Sequence, residues 1–228
     1  IASYYKRIPS IQKWTFIAAC IIGFITHIFY FSNMFANEDF FAPHVSGLNA
    51  GYAFGRWFLG PSISLLKVAS PAIIGVLTIL VLSLSATLIT HALKIQSKVF
   101  AICLAALIVT FPGTAYLSGY MPYLLGYTEA LLLSILAFVI TDKGRIGWIW
   151  GGILLCLSLG IYQSYISVTM TLCLSGLLFA ALQHYENAKV FWHTIREKLL
   201  KYIGMGGIGV VLYFIVQKVV FSVQGFVM

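Results

Sequence analysis

The sequence predicts an all-α protein, a polytopic bundle of about seven transmembrane helices. Hydrophobic residues make up 61% of its 228 residues and charged residues only 9%, whereas an ordinary soluble domain has roughly 45–50% and 25%. The hydrophobic residues occur in runs of about 15–23, long enough as helices to cross a hydrocarbon layer of about 30 Å. Strands of a transmembrane barrel would instead show alternating polar and apolar residues.

Seven hydrophobic runs define the candidate spans, at residues 14–33, 71–93, 99–116, 123–141, 146–162, 164–183 and 203–221. Two longer polar segments lie between them, at 34–70 and 184–202. We interpret residues 1–228 as a single transmembrane domain. Because the chain begins with Ile1 and ends at Met228 soon after a hydrophobic run, we expect it to be the N-terminal part of a longer protein.

The basic residues predict the orientation of these helices, because short cytoplasmic loops are enriched in Lys and Arg. With a cytoplasmic N-terminus, all of the 14 Lys and Arg residues lie on the cytoplasmic side except Arg56, Lys67 and Lys218. The segment 34–70 is then an extracytoplasmic loop. The segment 184–202 is cytoplasmic, and its hydrophobic residues recur at helical spacing among basic ones. We predict that it forms an amphipathic helix on the inner leaflet.

The net charge of +8 does not indicate a nucleic-acid partner, because the basic residues lie between the hydrophobic runs and do not form one solvated basic face. All the cysteines fall inside hydrophobic runs, where a thiol behaves as a small apolar group; they are Cys20, Cys103, Cys156 and Cys173. The sequence has no Cys/His spacing typical of a metal site. It predicts no bound cofactor and leaves a metal requirement open.

Polar residues and helix-breaking Gly and Pro gather on the predicted outer face, whereas the cytoplasmic loops are short and basic. They lie in the stretches 37–44, 55–57, 111–122 and 160–165. We therefore expect the function of the protein at its outer face.

The pair Glu38-Asp39 follows the first span by only a few residues. A carboxylate at this place can act as a general base on a hydroxyl group or bind a cation. The alternative is a solvated loop end, or a helix N-cap formed by Asp39.

Arg56 lies among aromatic residues on the outer side, against the general distribution of basic residues. An arginine so placed can bind a phosphate or carboxylate through two hydrogen bonds. The alternative is an interfacial arginine whose head group reaches the lipid headgroups.

Tyr162-Gln163 lies in a very tight predicted turn between two spans, where it could bind a sugar or headgroup. The alternative is that it forms hydrogen bonds between helices and belongs to the aromatic belt at the interface. Glu129 lies inside the fourth span, and acids in such positions are candidates for function. The alternative is an acid that is tolerated because it lies near the membrane surface and the N-terminus of its helix. For His27 and His91, which occur singly near the ends of spans, packing or a place at the membrane interface is the preferred interpretation.

The order of these motifs resembles the bacterial glucosyltransferases that modify O-antigen and change serotype, the Gtr type II family. In that family the first outer loop has an Asp-Asp pair and then Gly-Arg-Pro, and a Tyr-Gln motif opens a later span. The corresponding motifs here are Glu38-Asp39, Gly55-Arg56-Trp57 and Tyr162-Gln163. Glu38 therefore replaces the first acid, and Trp57 replaces the proline. The resemblance extends over most of the chain, from the first span to the sixth.

This resemblance implies a GT-C-like membrane glycosyltransferase in the bacterial cytoplasmic membrane. Such an enzyme takes glucose from a polyprenyl-phosphate carrier, undecaprenyl phosphate, at the outer face and transfers it to a cell-surface glycan. The partners it implies are the lipid-linked sugar, the glycan acceptor and membrane lipid. The implied roles are general base for Asp39 with Glu38 as its helper, phosphate binding for Arg56, and substrate contacts for Tyr120, Glu129, Tyr162 and Gln163.

A transporter or flippase of lipid-linked sugars is the alternative, because it too needs polar groups within the membrane. Transporter sites usually lie near the midplane, between duplicated halves of the chain. The sequence shows no internal repeat, and its polar groups gather at one face. A noncatalytic assembly subunit is a third possibility.

Overall fold

A computed structural model describes residues 9–33, 51, 54–63, 70–117 and 121–224 of the chain. Its helices, in chain order, are α1 (Ser10–Ser32), α2 (Leu59–Ile63), α3 (Pro71–Ala92), α4 (Lys98–Val109), α5 (Pro112–Leu117), α6 (Met121–Thr141), α7 (Gly147–Ile161), the 3₁₀ turn η1 (Gln163–Tyr165), α8 (Ile166–His184) and α9 (Ala188–Gln224). These described ranges contain no β-strand, and the predicted all-α class is confirmed.

Five of the described helical segments are long and apolar enough to cross a membrane: Ser10–Ser32, Pro71–Ala92, Tyr123–Thr141, Gln163–His184 and Ala188–Val223. Two shorter apolar segments, Lys98–Thr114 and Gly147–Ile161, occupy the places of the other two predicted spans. Long apolar helices are what a membrane protein requires. The predicted total of about seven spans stays a prediction.

Two helix boundaries differ from those predicted. The run 99–116 is divided into α4 and α5 at Phe111, because Pro112 lacks an N–H group and disfavours a helical conformation in the residue before it. The predicted amphipathic segment and the last span instead form one continuous helix, α9, of 37 residues. At 1.5 Å per residue, this helix is about 55 Å long.

The chain forms two compact units, and the first comprises residues 1–46 and 63–128. Helix α1 packs against α3 and α4. The buried ring of His27 lies 2.7 Å, through Nε2, from the carbonyl oxygen of Val109, the last residue of α4. Because α4 ends there, this carbonyl has no helical partner further along the chain, and the histidine supplies one.

The second unit comprises residues 47–62 and 129–228. Helix α9 packs against α7 and α8. Small residues bring α7 and α9 close together, because a Cβ added to Gly152 would lie 2.6 Å from Ile208 and one added to Gly209 would lie 2.8 Å from Leu155. Close approach through small residues is typical of helices packed in membranes.

The loop that follows α6 is attached to α9 by Asp142. Its carboxylate accepts hydrogen bonds from Lys198 Nζ and from the hydroxyl of Tyr202, the latter at 3.3 Å. The ammonium of Lys198 also lies 5.7 Å from the centre of the Tyr202 ring. The basic N-terminal part of α9 is therefore joined to the loop before α7.

Candidate active site

A turn at Gly55-Arg56-Trp57 precedes helix α2. The backbone N–H of Arg56 donates to the carbonyl of Gly51 at 2.8 Å, and the Arg56 carbonyl accepts from the N–H of Leu59 at 3.2 Å. Gly55 has a φ of +74°, a left-handed conformation that residues with a Cβ rarely adopt. Backbone hydrogen bonds therefore define the conformation around Arg56, although Trp57 stands where the family motif has proline.

Polar side chains of η1 and α9 hold this turn by its carbonyl groups. Nε2 of Gln163 donates to the carbonyl of Phe54 at 2.8 Å and to the Tyr213 hydroxyl at 3.0 Å. The Tyr213 hydroxyl in turn donates to the carbonyl of Gly55 at 3.2 Å. A Cβ on Gly55 would lie 2.5 Å from that hydroxyl and 3.0 Å from Nε2 of Gln217. A larger residue here would be strained at this φ and would displace the Tyr213 hydroxyl.

The same turn packs against the C-terminal end of α7. The N–H of Phe58 donates to the carbonyl of Gly160 at 2.7 Å. A Cβ on Gly160 would lie 2.7 Å from Cε2 of Trp57, so the indole ring occupies the space that a larger residue would need. The Trp57 and Phe58 rings are themselves in contact, with centroids 5.7 Å apart.

The guanidinium group of Arg56 lies against aromatic rings. Its Cζ is 4.9 Å from the centre of the Tyr162 ring and 5.9 Å from that of Phe54, and the side chain is half-buried. These distances are in the range of cation–π interactions. A guanidinium can bind a ring by its face while its N–H groups, which lie in its own plane, donate to phosphate or carboxylate oxygens.

Tyr162 reaches Arg56 because the chain leaves the helical conformation at this residue. Helix α7 ends at Ile161, and Tyr162 is extended, with φ −153° and ψ 109°. The 3₁₀ turn η1 follows at once, so the connection is as tight as the sequence predicts. The rings of Tyr162 and Tyr165 meet edge to face, with centroids 5.6 Å apart.

Three of the predicted site residues, Arg56, Tyr162 and Gln163, are thus brought together by one turn. Glu129 is half-buried in α6, and no hydrogen bond or ion pair joins its carboxylate to any residue that the structure describes. Glu38, Asp39 and Tyr120 lie outside the described residues. Nowhere in the described ranges do three or more His, Cys, Asp or Glu side chains form a group that could hold a metal ion.

The sequence interpretation missed Tyr213 and Gln217, the two residues of α9 that approach Gly55. A signal was present. Gln217 interrupts a hydrophobic run, and Tyr213 precedes it by one helical turn, which places both residues on the same face of the helix.

The sequence matches the model of a known family, Glucosyl transferase GtrII, over residues 28–228. The chain belongs to the GtrII glucosyl transferase family. The matched region of this GtrII chain includes the Gly55-Arg56-Trp57 turn, Tyr162, Gln163 and α9. No curated protein and no solved structure matches the chain. Its family and its long apolar helices together identify it as a membrane glycosyltransferase.

Proposed function

We propose that this GtrII protein transfers glucose from a polyprenyl-phosphate carrier, such as undecaprenyl phosphate, to a cell-surface glycan. The reaction would take place at the outer face of the bacterial cytoplasmic membrane, on a GT-C-like fold. The family supports transfer of a glucosyl group. A lipid-linked donor suits a protein whose long helices are apolar enough to lie among lipid chains.

The observation that supports the lipid-phosphate donor most directly is the position of Arg56. Its guanidinium lies 4.9 Å from the Tyr162 ring on a turn held by hydrogen bonds from Gln163 and Tyr213. A cation held in place before the reaction can stabilise charge that develops on a leaving group without having to reorganise. The leaving group of a polyprenyl-phosphate sugar is a phosphate, to which the guanidinium is well matched.

In the reaction that we propose, an acceptor hydroxyl oxygen attacks the anomeric carbon of glucose. The bond between this carbon and the phosphate oxygen breaks, and the polyprenyl phosphate leaves with the bonding electrons. Asp39 accepts the hydroxyl proton as general base, and Glu38 assists it. Arg56 binds the departing phosphate. Tyr120, Glu129, Tyr162 and Gln163 are assigned to contacts with the sugar or the acceptor.

Replacing Arg56 with lysine tests this assignment, because Arg56→Lys keeps the positive charge but removes the planar group of N–H donors. We expect transfer of glucose from polyprenyl-phosphate glucose, measured in membranes that contain the full-length protein, to fall about 10²-fold. The matched control is Arg196→Lys, because Arg196 is exposed on α9 and has no assigned role. Its transfer rate should be unchanged.

Equal transfer by the Arg56→Lys variant and the control, at matched amounts of inserted protein, would remove Arg56 from the phosphate site. Movement of the lipid-linked sugar across the membrane without transfer to a glycan would instead favour the flippase.

A further inference from the structure

We propose that Tyr213 is a positioning residue for Arg56. Helix α9, which lies outside the Gly55-Arg56-Trp57 motif, thereby takes part in donor binding. This inference rests on the proposed function of Arg56 as the phosphate-binding residue. Tyr213 acts on the backbone of the turn, and Gln163 assists it there.

The inference follows from which atoms Tyr213 binds. Its hydroxyl donates to the carbonyl of Gly55 at 3.2 Å, and this carbonyl belongs to the peptide group whose N–H is that of Arg56. That N–H donates to the carbonyl of Gly51 at 2.8 Å. Since a peptide group is planar and rigid, hydrogen bonds at both of its ends fix the plane that leads into Arg56. The Arg56 carbonyl accepts from the N–H of Leu59 at 3.2 Å, so the backbone that carries the Arg56 side chain is restrained on both sides.

The preceding peptide group is held at its carbonyl. Gln163 Nε2 donates to the carbonyl of Phe54 at 2.8 Å, and it donates to the Tyr213 hydroxyl at 3.0 Å. The hydroxyl is therefore acceptor and donor at once. Together with Gln163 Nε2 it links the carbonyls of Phe54 and Gly55, the two peptide groups that precede Arg56. Hydrogen bonds connected in this way reinforce one another.

The surroundings of Tyr213 require such partners. The residue is only 7% exposed, and a buried hydroxyl without a hydrogen bond is costly. Gly55 completes the arrangement, because a Cβ at this position would lie 2.5 Å from the hydroxyl. A side chain at residue 55 would therefore push Tyr213 away from the carbonyl to which it donates.

Replacing Tyr213 with phenylalanine removes the hydroxyl and keeps the ring. We expect Tyr213→Phe to raise the KM for polyprenyl-phosphate glucose about 3- to 10-fold, the loss typical of one or two hydrogen bonds that orient a binding group. The matched control is Tyr202→Phe, because Tyr202 is on the same helix, is equally buried and donates to Asp142 instead. At 11 positions from Tyr213, it lies about 16 Å away along the helix axis. Its KM should not change.

A double-mutant cycle separates positioning from general stabilisation, because residues that act through one another have non-additive effects. If Tyr213 acts through Arg56, adding Tyr213→Phe to Arg56→Lys should cost less than twofold beyond Arg56→Lys alone. Independent losses that multiply would overturn the inference, and so would an unchanged KM in the single variant. An Arg56→Lys variant with full activity would instead overturn the proposed function.

Expression and thermal unfolding in detergent, measured for each variant, show whether Tyr213→Phe is folded. If it is not, Gly55→Ala replaces it in the same cycle, because the added Cβ would lie 2.5 Å from the Tyr213 hydroxyl and displace it from the carbonyl to which it donates. The expected result is again a raised donor KM that is not additive with Arg56→Lys.

Discussion

At the scale of single residues, the proposed reaction depends most on Asp39. A general base contributes roughly 10²–10⁴-fold to a rate, so Asp39→Asn should abolish measurable transfer of glucose while the protein remains inserted in the membrane. Glu38→Gln should cost less, because its carboxylate only assists. The measurement is transfer by the full-length protein at matched expression. Full activity in both variants would contradict the catalytic role of Glu38 and Asp39 and favour the alternative, a solvated loop end.

Residue types and their order were enough to name Arg56, Tyr162 and Gln163 as candidates from the sequence, because an arginine against the positive-inside distribution and an amide between two spans are unusual. The structure places the three side chains around one turn, and their roles stay a prediction. Tyr213 by itself is less distinctive, and only its spacing from Gln217 marks it in the sequence. A tyrosine in a hydrophobic run is equally suited to packing or to the membrane interface, and only the fold shows that its hydroxyl meets the carbonyl of Gly55. For His27 a role in packing was expected from the sequence, but only the structure shows that its ring binds the carbonyl of Val109.

At the scale of elements, the site depends on the close packing of the turn against the end of α7. Gly160→Ala places a methyl group 2.7 Å from the Trp57 ring, so the indole and the adjoining Arg56 have to move. We expect this variant to lose about 1–3 kcal/mol of stability, as overpacked sites do, and to lose transfer activity.

The control for this change is Gly206→Ala, because a Cβ on Gly206 meets no atom within 4 Å. It should be as stable and active as the parent protein, by thermal unfolding in detergent and by the transfer assay. Equal behaviour of the two variants would show that the contact between Trp57 and Gly160 is unimportant.

The existence of the helices was predictable from the hydrophobic runs, and their exact ends were not. The division between α4 and α5 depends on Pro112 and the residue before it, a local effect that a hydropathy pattern averages away. The continuity of α9 through Tyr202 was missed for a different reason. The change from an amphipathic to an apolar pattern was interpreted as a boundary, but a helix can pass through such a change, because its backbone hydrogen bonds do not depend on side-chain polarity.

At the scale of the whole molecule, the predicted orientation in the membrane rests on the basic residues alone and is open to a direct test. In a background without native cysteines, Lys143→Cys should resist a membrane-impermeant thiol reagent added to intact cells. His44→Cys, in the predicted outer loop, should react. Labelling of Lys143→Cys in sealed cells would reverse the topology, and the proposed site could then not lie at the outer face.

The continuous helix α9 also acts as a ruler. It binds the loop at Asp142 through Tyr202 and the turn at Gly55 through Tyr213, and the rise of the helix fixes the spacing of these two attachment points at about 16 Å. Since a helix resists stretching, a thinner or thicker bilayer would change how deeply or at what tilt this rod lies and leave that spacing unchanged. The turn that holds Arg56 and the loop before α7 thus keep the same distance from each other along α9 in bilayers of different thickness.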